Sequence, residues 1–307
     1  IISNLHINRP DAQHPVGLFG WPNATTIDSL GLENVNITGK NNVGAFVGTA
    51  WNSTQVVQCY VTGIVNGQNV VGGLIGHNNG SYITNSYSVA EVVGTDTVGG
   101  LLGYNESLNY TIGYCAGKVT GTNHVGGITG ASFNDMSSNN NCFWDSLATT
   151  QLTSAEGSGY GTPEMVIPDT YWSFNFESGN IWGIVGGETY PYLLWQGDPS
   201  EYHYPSIVQD IDGNTYKTVK IGTQVWMAEN LKTTRYNDGS NIIEVIDGLA
   251  WTTYPDGARC HYNFLPENLD AYGRLYNWHA VETGNLCPVG WHVPTSSDWD
   301  ILFSNYG

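Results

Sequence analysis

Val71-Gly72-Gly73-Leu74-Ile75-Gly76 recurs as Val98-Gly99-Gly100-Leu101-Leu102-Gly103 and again as Val125-Gly126-Gly127-Ile128-Thr129-Gly130. Toward the N-terminus, Val43-Gly44-Ala45-Phe46-Val47-Gly48 is a looser copy and Val16-Gly17-Leu18-Phe19-Gly20 a shorter one. Successive copies are offset by 27, 28, 27 and 27 residues. Midway through each unit lies a second alternating apolar stretch, such as Cys59-Tyr60-Val61-Thr62-Gly63-Ile64-Val65 or Ser86-Tyr87-Ser88-Val89-Ala90-Glu91-Val92. A third runs Gly113-Tyr114-Cys115-Ala116-Gly117-Lys118-Val119, so Tyr60, Tyr87 and Tyr114 are expected to stack. The pattern predicts two short strands per unit, joined by Gly and Asn turns. One such coil cannot bury its own apolar face, but stacked coils close a continuous core. The repeated glycines permit either positive φ or close backbone approach. The expected fold class is mainly β: a β-solenoid of about five coils, a rod of roughly 24 Å at the spacing of paired strands.

Composition narrows the function. The 307 residues carry 27 Asp and Glu against 9 Lys and Arg, a formal charge of −18. Gly is 39 of 307, nearly twice the usual share, and charged residues are 12%, about half of it. With 40% hydrophobic residues and 12% aromatics, the chain is not an acidic disordered segment. Three cations precede residue 201 and six follow it, too scattered for a phosphate-backbone footprint, so no nucleic-acid partner is expected. No apolar run approaches 18 residues, so no membrane span is expected either. Residue 1 is Ile with no leader pattern, as in a processed chain or an internal fragment.

Gly73-Leu74-Ile75-Gly76 and Gly100-Leu101-Leu102-Gly103 resemble the GLUG motif, found in bacterial surface and secreted proteins. The resemblance covers residues 1–141 and implies an extracellular stalk or scaffold. Residues 142–197 break the period and are rich in aromatics, among them Trp172, Phe174, Phe176, Trp182, Tyr190, Tyr192 and Trp195. They are expected to cap the solenoid and cover its exposed strand edges. Gly157-Ser158-Gly159-Tyr160-Gly161 lacks the strand-to-helix context and the following Lys of a nucleotide loop. Residues 198–206 read as a linker.

The remainder, 207–307, opens with an Asp210-Ile211-Asp212-Gly213-Asn214 turn and a hairpin across Thr218–Trp226. Tyr272-Gly273-Arg274-Leu275-Tyr276-Asn277-Trp278 and Cys287-Pro288-Val289-Gly290-Trp291-His292-Val293-Pro294-Thr295 follow, then a helix that Ser296 or Ser297 is expected to cap. These blocks resemble the Fibrobacter succinogenes major paralogous domain of bacterial surface lipoproteins and secreted proteins. That family is related to the C-type-lectin-like and formylglycine-generating-enzyme folds. The resemblance implies a partial α+β lectin-like domain whose second half, the usual place of ligand-binding loops, lies beyond residue 307.

Cys260 and Cys287, 27 residues apart, are expected to form a disulfide, worth roughly 3–4 kcal/mol for a loop of that size. Cys59, Cys115 and Cys142 are expected as buried thiols, with stacked Cys115–Cys142 pairing left open. No Cys-x-x-Cys pair suggests zinc. The Asp210/Asp212/Asn214 alternation fails as a calcium loop, since Gly213 is at position 4 and Ile221 at position 12. No cofactor is expected, with calcium elsewhere left open. Only Arg9, Lys40 and Lys118 occur before residue 200, and Asp298 and Asp300 at i, i+2 do not converge on a helix, so no catalytic constellation emerges. Trp278, His279, Trp291 and His292, with His261 nearby, form a His/aromatic set that suits glycan binding. For Trp226, Trp278, Trp291 and Trp299 a core role is the plainer expectation. Six Asn-x-Ser/Thr sequons, at Asn23, Asn36, Asn52, Asn79, Asn105 and Asn109, are read as turn chemistry. The expected role is a non-catalytic, extracellular or cell-surface adhesin binding glycans or other surface molecules. The alternative is a structural subunit of a surface layer or extracellular filament that self-associates through open strand edges, and a polysaccharide-active enzyme ranks below both.

Overall fold

The computed structural model describes residues 1–107, 111–133, 141–176, 181–197 and 203–304. The chain divides into two compact units, Ile1–Gly186 with Tyr190–Tyr202, and Gly187–Thr189 with His203–Gly307. Part of the expected linker, residues 198–202, lies outside the described residues, as does the sequon at Asn109.

The first unit is a β-solenoid of about five turns. All pairings between its coils are parallel, and the register follows the repeat. Val43 pairs with Val71, Val71 with Val98 and Val98 with Val125, and Val16 bridges Val43. Each coil has three faces where two strands per unit were expected. One face runs through Gly31–Thr38, Tyr60–Asn66, Tyr82–Ser88, Thr111–Cys115 and Cys142–Asp145. A second comprises Asn41–Gly44, Asn69–Gly72, Asp96–Gly99 and Asn123–Gly126. The third comprises Val47–Trp51, Ile75–Asn79, Leu102–Asn105 and Thr129–Ser132. The repeated motif thus straddles a corner: one strand ends at Gly72 and the next begins at Ile75. The apolar corner residue turns inward, and Phe46, Leu74, Leu101 and Ile128 are fully buried on successive rungs.

The corner explains the glycines. A Cβ on Gly72, Gly99 or Gly126 would lie 2.0 Å from the carbonyl oxygen of Ile75, Leu102 or Thr129. Close backbone approach, not positive φ, therefore excludes a side chain here. The left-handed positions fall instead on Asn42, Val70, Thr97 and His124, whose φ values are 50°, 56°, 57° and 48°. These four occupy equivalent places on successive rungs, one residue before the repeated Val.

Tyr60, Tyr87 and Tyr114 stack as expected, with ring centroids 5.3 and 4.9 Å apart and planes within 9° and 7°. They face away from the solenoid interior and join a second apolar cluster with Phe143, Met165, Tyr171, Trp182, Tyr190 and Leu193. Offset-stacked pairs of this kind contribute about 0.5–1.5 kcal/mol beyond area burial. Residues within 142–176 and 181–197 both extend the array and pack against this tyrosine face. Cys142–Asp145 pairs with Thr111–Cys115, and Ser158–Tyr160 pairs with Cys142–Asp145. Tyr87 Oη donates to Gln196 Oε1 at 3.0 Å, Tyr114 Oη to the Pro191 carbonyl at 2.7 Å, and Trp182 Nε1 to Asn85 Oδ1 at 3.1 Å.

The second unit mixes short strands and helices. Ile207–Gln209, Thr215–Ile221 and Gln224–Met227 form an antiparallel sheet. The Asp210–Asn214 turn joins the first two strands, and Gly222, at φ +60°, turns the expected hairpin. A second sheet holds Ile243–Glu244, Ala258–His261 and Arg274–Tyr276. The final helix, Ser296–Ser304, starts one residue earlier than the expected capping serines require. Thr295 is the cap: its hydroxyl accepts from Asp298 N at 3.4 Å, while Asp298 Oδ2 accepts from Thr295 N at 2.8 Å. That reciprocal pair is a capping box.

The expected Cys260–Cys287 disulfide is not formed, and all five cysteines are free thiols. Cys260 is buried on the central strand of its sheet, opposite Leu275, whereas Cys287 sits on a loop whose carbonyl accepts from Asn237 Nδ2. Cys115 and Cys142 do not pair either, because Cys142 stands opposite Gly113 and Cys115 opposite Trp144. Burial pushes the Cys59 and Cys115 thiols up to about 12.

Candidate functional site

The His/aromatic set lies on the second unit, and Trp278 and His279 are set in place by the capping of their helix. Asn277 accepts from Ala280 N at 3.0 Å and from Ala258 N at 2.9 Å, and its Nδ2 donates to the Asp256 carbonyl at 2.7 Å. It thereby fixes the start of the helix Trp278–Glu282. Trp278, on the first turn, is 68% exposed, and His279 is also exposed. The core role expected for Trp278 therefore fails, as it does for Trp299, which is exposed while stacking on Phe303 and tilting against Trp226 at 5.2 Å. Trp226 and Trp291 are half-buried.

His292 is exposed, with Nε2 3.1 Å from Asp298 Oδ2. The hydrogen bonds from the Thr295 hydroxyl and backbone, then His292, bring the Asp298 carboxyl down to about 2. No ring contact or hydrogen bond joins Trp278 or His279 to Trp291 or His292 among the described residues. Trp278 and His279 lie on the helix Trp278–Glu282, and Trp291 and His292 on the segment before the helix Ser296–Ser304.

A polar cluster that sequence reasoning missed links the strands of the second sheet. Arg259 NH1 donates to Glu244 Oε2 at 2.7 Å, and His261 Nε2 lies 3.2 Å from Glu244 Oε1. Arg274 NH1 is 3.1 Å from the same His261 nitrogen, and Arg274 Nε donates to the Lys232 carbonyl. Partial burial opposes ionisation of Glu244, but the Arg259 hydrogen bond and charge, with His261 and Arg274, outweigh it and hold the carboxyl below its usual range. The sequence signal was Arg259-Cys260-His261, where alternation puts two basic groups on one face. Their partners, 15 and 13 residues away, have no sequence signature. Glu244 is paired with Arg259 and His261, and Arg274 donates to a backbone carbonyl, so the contacts bridge all three strands of the sheet.

The Asp210–Asn214 loop is likewise satisfied from within. Asp210 accepts from the backbone N–H groups of Asp212 and Asn214, from Asn214 Nδ2 and from Tyr216 Oη. Asp212 accepts from Arg235 Nε at 2.6 Å and from Thr234. Burial pushes against ionisation of Asp212, yet the Thr234 backbone and Arg235 bring its carboxyl down to about 2. These oxygens bind protein donors and close a turn. Among the described residues no group of three or more His, Cys, Asp or Glu side chains is arranged to hold a metal ion.

Within the solenoid, buried polar groups form a ladder. Asn78 Nδ2 donates to Asn105 Oδ1 at 3.0 Å, and Asn105 Nδ2 donates to Glu156 at 2.8 and 3.1 Å. Thr129 Oγ1 donates to the same carboxyl at 3.2 Å. Burial raises the Glu156 carboxyl above its usual range, against the hydrogen bonds from Asn105 and Thr129. Asn105 is fully buried, so its sequon is not open to glycosylation in the folded chain. Asp145 is also buried; it accepts from Leu147 N and Ala148 N and from Tyr190 Oη at 2.7 Å. Both carboxylates are spent on internal donors.

Residues 219–307 match the family model of the Fibrobacter succinogenes major domain, beginning inside the segment expected to start at 207. The chain is 38% identical over 69 residues to an Immunoglobulin A1 protease of Streptococcus sanguinis, which is 22% of this chain and 4% of that protein. An Immunoglobulin A1 protease of Streptococcus pneumoniae shares the same identity over the same length. Halomucin of Haloquadratum walsbyi is 45% identical over 76 residues, 24% of this chain and 1% of that protein. The chain thus spans only a few per cent of the length of these curated relatives. No solved structure matches it. No helix among the described residues is long and apolar enough to cross a membrane.

Proposed function

We propose that this chain belongs to a non-catalytic bacterial surface or secreted binding protein, in which the solenoid is a spacer and the C-terminal unit carries a glycan-binding face. The observation that carries this reading is the exposure of Trp278 beside His279 on a helix start fixed by Asn277. An exposed indole on a rigid support presents a flat apolar face with a polar edge, the form that sugar rings stack on. The match of residues 219–307 to a domain resembling those of surface lipoproteins and secreted proteins supports an extracellular place. The relatives named as proteases overlap only 4% of their length with this chain, so their activity does not transfer to it.

A second reading is a structural subunit that self-associates. It is favoured by the parallel rung-on-rung pairing of the solenoid strands, an arrangement that strands of another copy can continue. A glycan array probed with the full chain separates the two. The binding reading expects signals that fall when Trp278→Ala is made. Absence of sugar binding, together with ordered assembly in sedimentation velocity, sinks it in favour of the second.

A further inference from the structure

A cleft of about 360 Å³ opens on the first unit, lined by Trp21, Asn23, Trp51 and Asn52. It is shallow and open to solvent, a surface trough and not an enclosed cavity. The residues come from adjacent rungs: Asn23 bridges Trp51 in parallel register. Trp21 is 60% exposed, and its ring lies 6.4 Å from that of Trp51 with the planes tilted at 40°. Two indole faces at that tilt form an open trough. On the next rung Asn79 pairs with Trp51 and donates to Glu106, so the aromatic pair is confined to this end.

The polar groups of the cleft are poised and incompletely used. Asn52 Nδ2 donates to Asn23 Oδ1 at 3.0 Å. That bond leaves the Asn23 Nδ2 donor and the Asn52 Oδ1 acceptor without protein partners among the described residues. Trp51 Nε1 is buried, without a protein partner among the described residues, so it is the indole face and not its N–H that the cleft presents. The frame is rigid, since the Trp51 carbonyl accepts from both Thr54 N and Thr54 Oγ1. No charged side chain lines the cleft, and the chain carries a net charge of −18, which disfavours anionic ligands. A purely apolar ligand would strand the amides. A neutral ring with an apolar C–H face and hydroxyls around its edge satisfies both the indoles and the amides.

We propose that Trp21, Asn23, Trp51 and Asn52 form a binding site for a neutral pyranose sugar. This site goes beyond the function proposed above, whose ligand face is on the other unit, and the two fail separately. The test follows the tryptophan indole N–H resonances of the full-length ¹⁵N-labelled chain. Methyl β-D-glucopyranoside, methyl β-D-galactopyranoside, methyl α-D-mannopyranoside and N-acetylglucosamine are titrated through the millimolar range, with sodium glucuronate as the charged comparison. At least one neutral sugar is expected to shift the Trp21 and Trp51 signals saturably, with glucuronate weaker. Trp21→Ala, at an exposed position, and Asn52→Ala are each expected to weaken binding at least tenfold, with an unchanged melting temperature for the former. Three outcomes overturn the proposal: no saturable shift with any neutral sugar, affinity retained in both variants, or loss of the shifts only on Trp278→Ala.

Discussion

Replacing Asn105 by Ala tests whether the buried amide ladder is a working part of the solenoid. The substitution removes both hydrogen bonds to Glu156, at 2.8 and 3.1 Å, and the acceptor for Asn78 Nδ2 and Ser107 N. Asn78 retains a bond to the Ser81 carbonyl and Ser107 Oγ one to the same oxygen, so their losses are partial. Glu156, 2% exposed, keeps only the Thr129 hydroxyl. A hydrogen bond to a charged group contributes about 1.5–3 kcal/mol, and stranding a buried polar partner costs about 1–3 kcal/mol more. The expected loss is therefore about 3–4 kcal/mol, or opening at least about 100-fold more frequent.

Native-state hydrogen exchange of the full chain, read on the strands Ile75–Asn79 and Leu102–Asn105, measures this opening without requiring the whole chain to unfold at once. The pH dependence supplies a second criterion. The folded-state pKa of Glu156 is raised above its unfolded value, so its contribution to stability is fully present below the unfolded pKa. That contribution is lost as pH rises through the folded pKa. Removing Asn105 deletes the main bond that favours the charged form, so the penalty is expected to be smaller at low pH than above neutrality. A change in opening free energy below about 1 kcal/mol, or an equal penalty at both ends of the pH range, refutes the reasoning.

Gly99→Ala places a Cβ 2.0 Å from the Leu102 carbonyl oxygen and is expected to destabilise the first unit by about 1–3 kcal/mol or more. Gly80→Ala has open space and only its φ of +73° to contend with, so about 1 kcal/mol is expected; chemical denaturation ranks the pair. In the second unit, Asp298 has its pKa lowered to about 2, so its support of the last helix is present above the unfolded pKa and lost as pH falls toward 2. Thr295→Ala removes the hydroxyl bond but keeps the backbone donor, so it is expected to reduce that acid sensitivity in part, followed by exchange protection of the helix Ser296–Ser304. Thiol titration is expected to find five free cysteines in denatured protein without reductant, and the half-buried Cys287 reacting first in the native chain. Finding only three sinks the assignment of Cys260 and Cys287 as thiols.

The solenoid was legible in the chain because each rung contacts only its neighbours, so every lateral contact recurs at a fixed offset. The 27- and 28-residue spacing became the observed register, Val43 on Val71 on Val98 on Val125, and the tyrosine spacing became a ring stack. Glycine spacing was legible too, but its cause was not, because a close approach to the Leu102 carbonyl is a property of the folded corner. The third face stayed hidden for the same reason, since one apolar motif was divided between two strands. What lacked a period lacked a signal. Glu156 meets Asn105 across 51 residues and Trp182 meets Asn85 across 97.

At the candidate sites the division is similar. Residue type marked Trp278, His279, Trp291 and His292, while only the fold exposed Trp278 and left Trp291 half-buried. Spacing suggested a Cys260–Cys287 bridge, and strand placement undid it. The sequence by itself determined the repeat, the parallel register and the acidic character, because those follow from local chemistry repeated at a constant interval. The tertiary structure decided which polar groups are buried together, which aromatics meet solvent and where a cleft opens, because each depends on residues brought together from distant or unrelated positions.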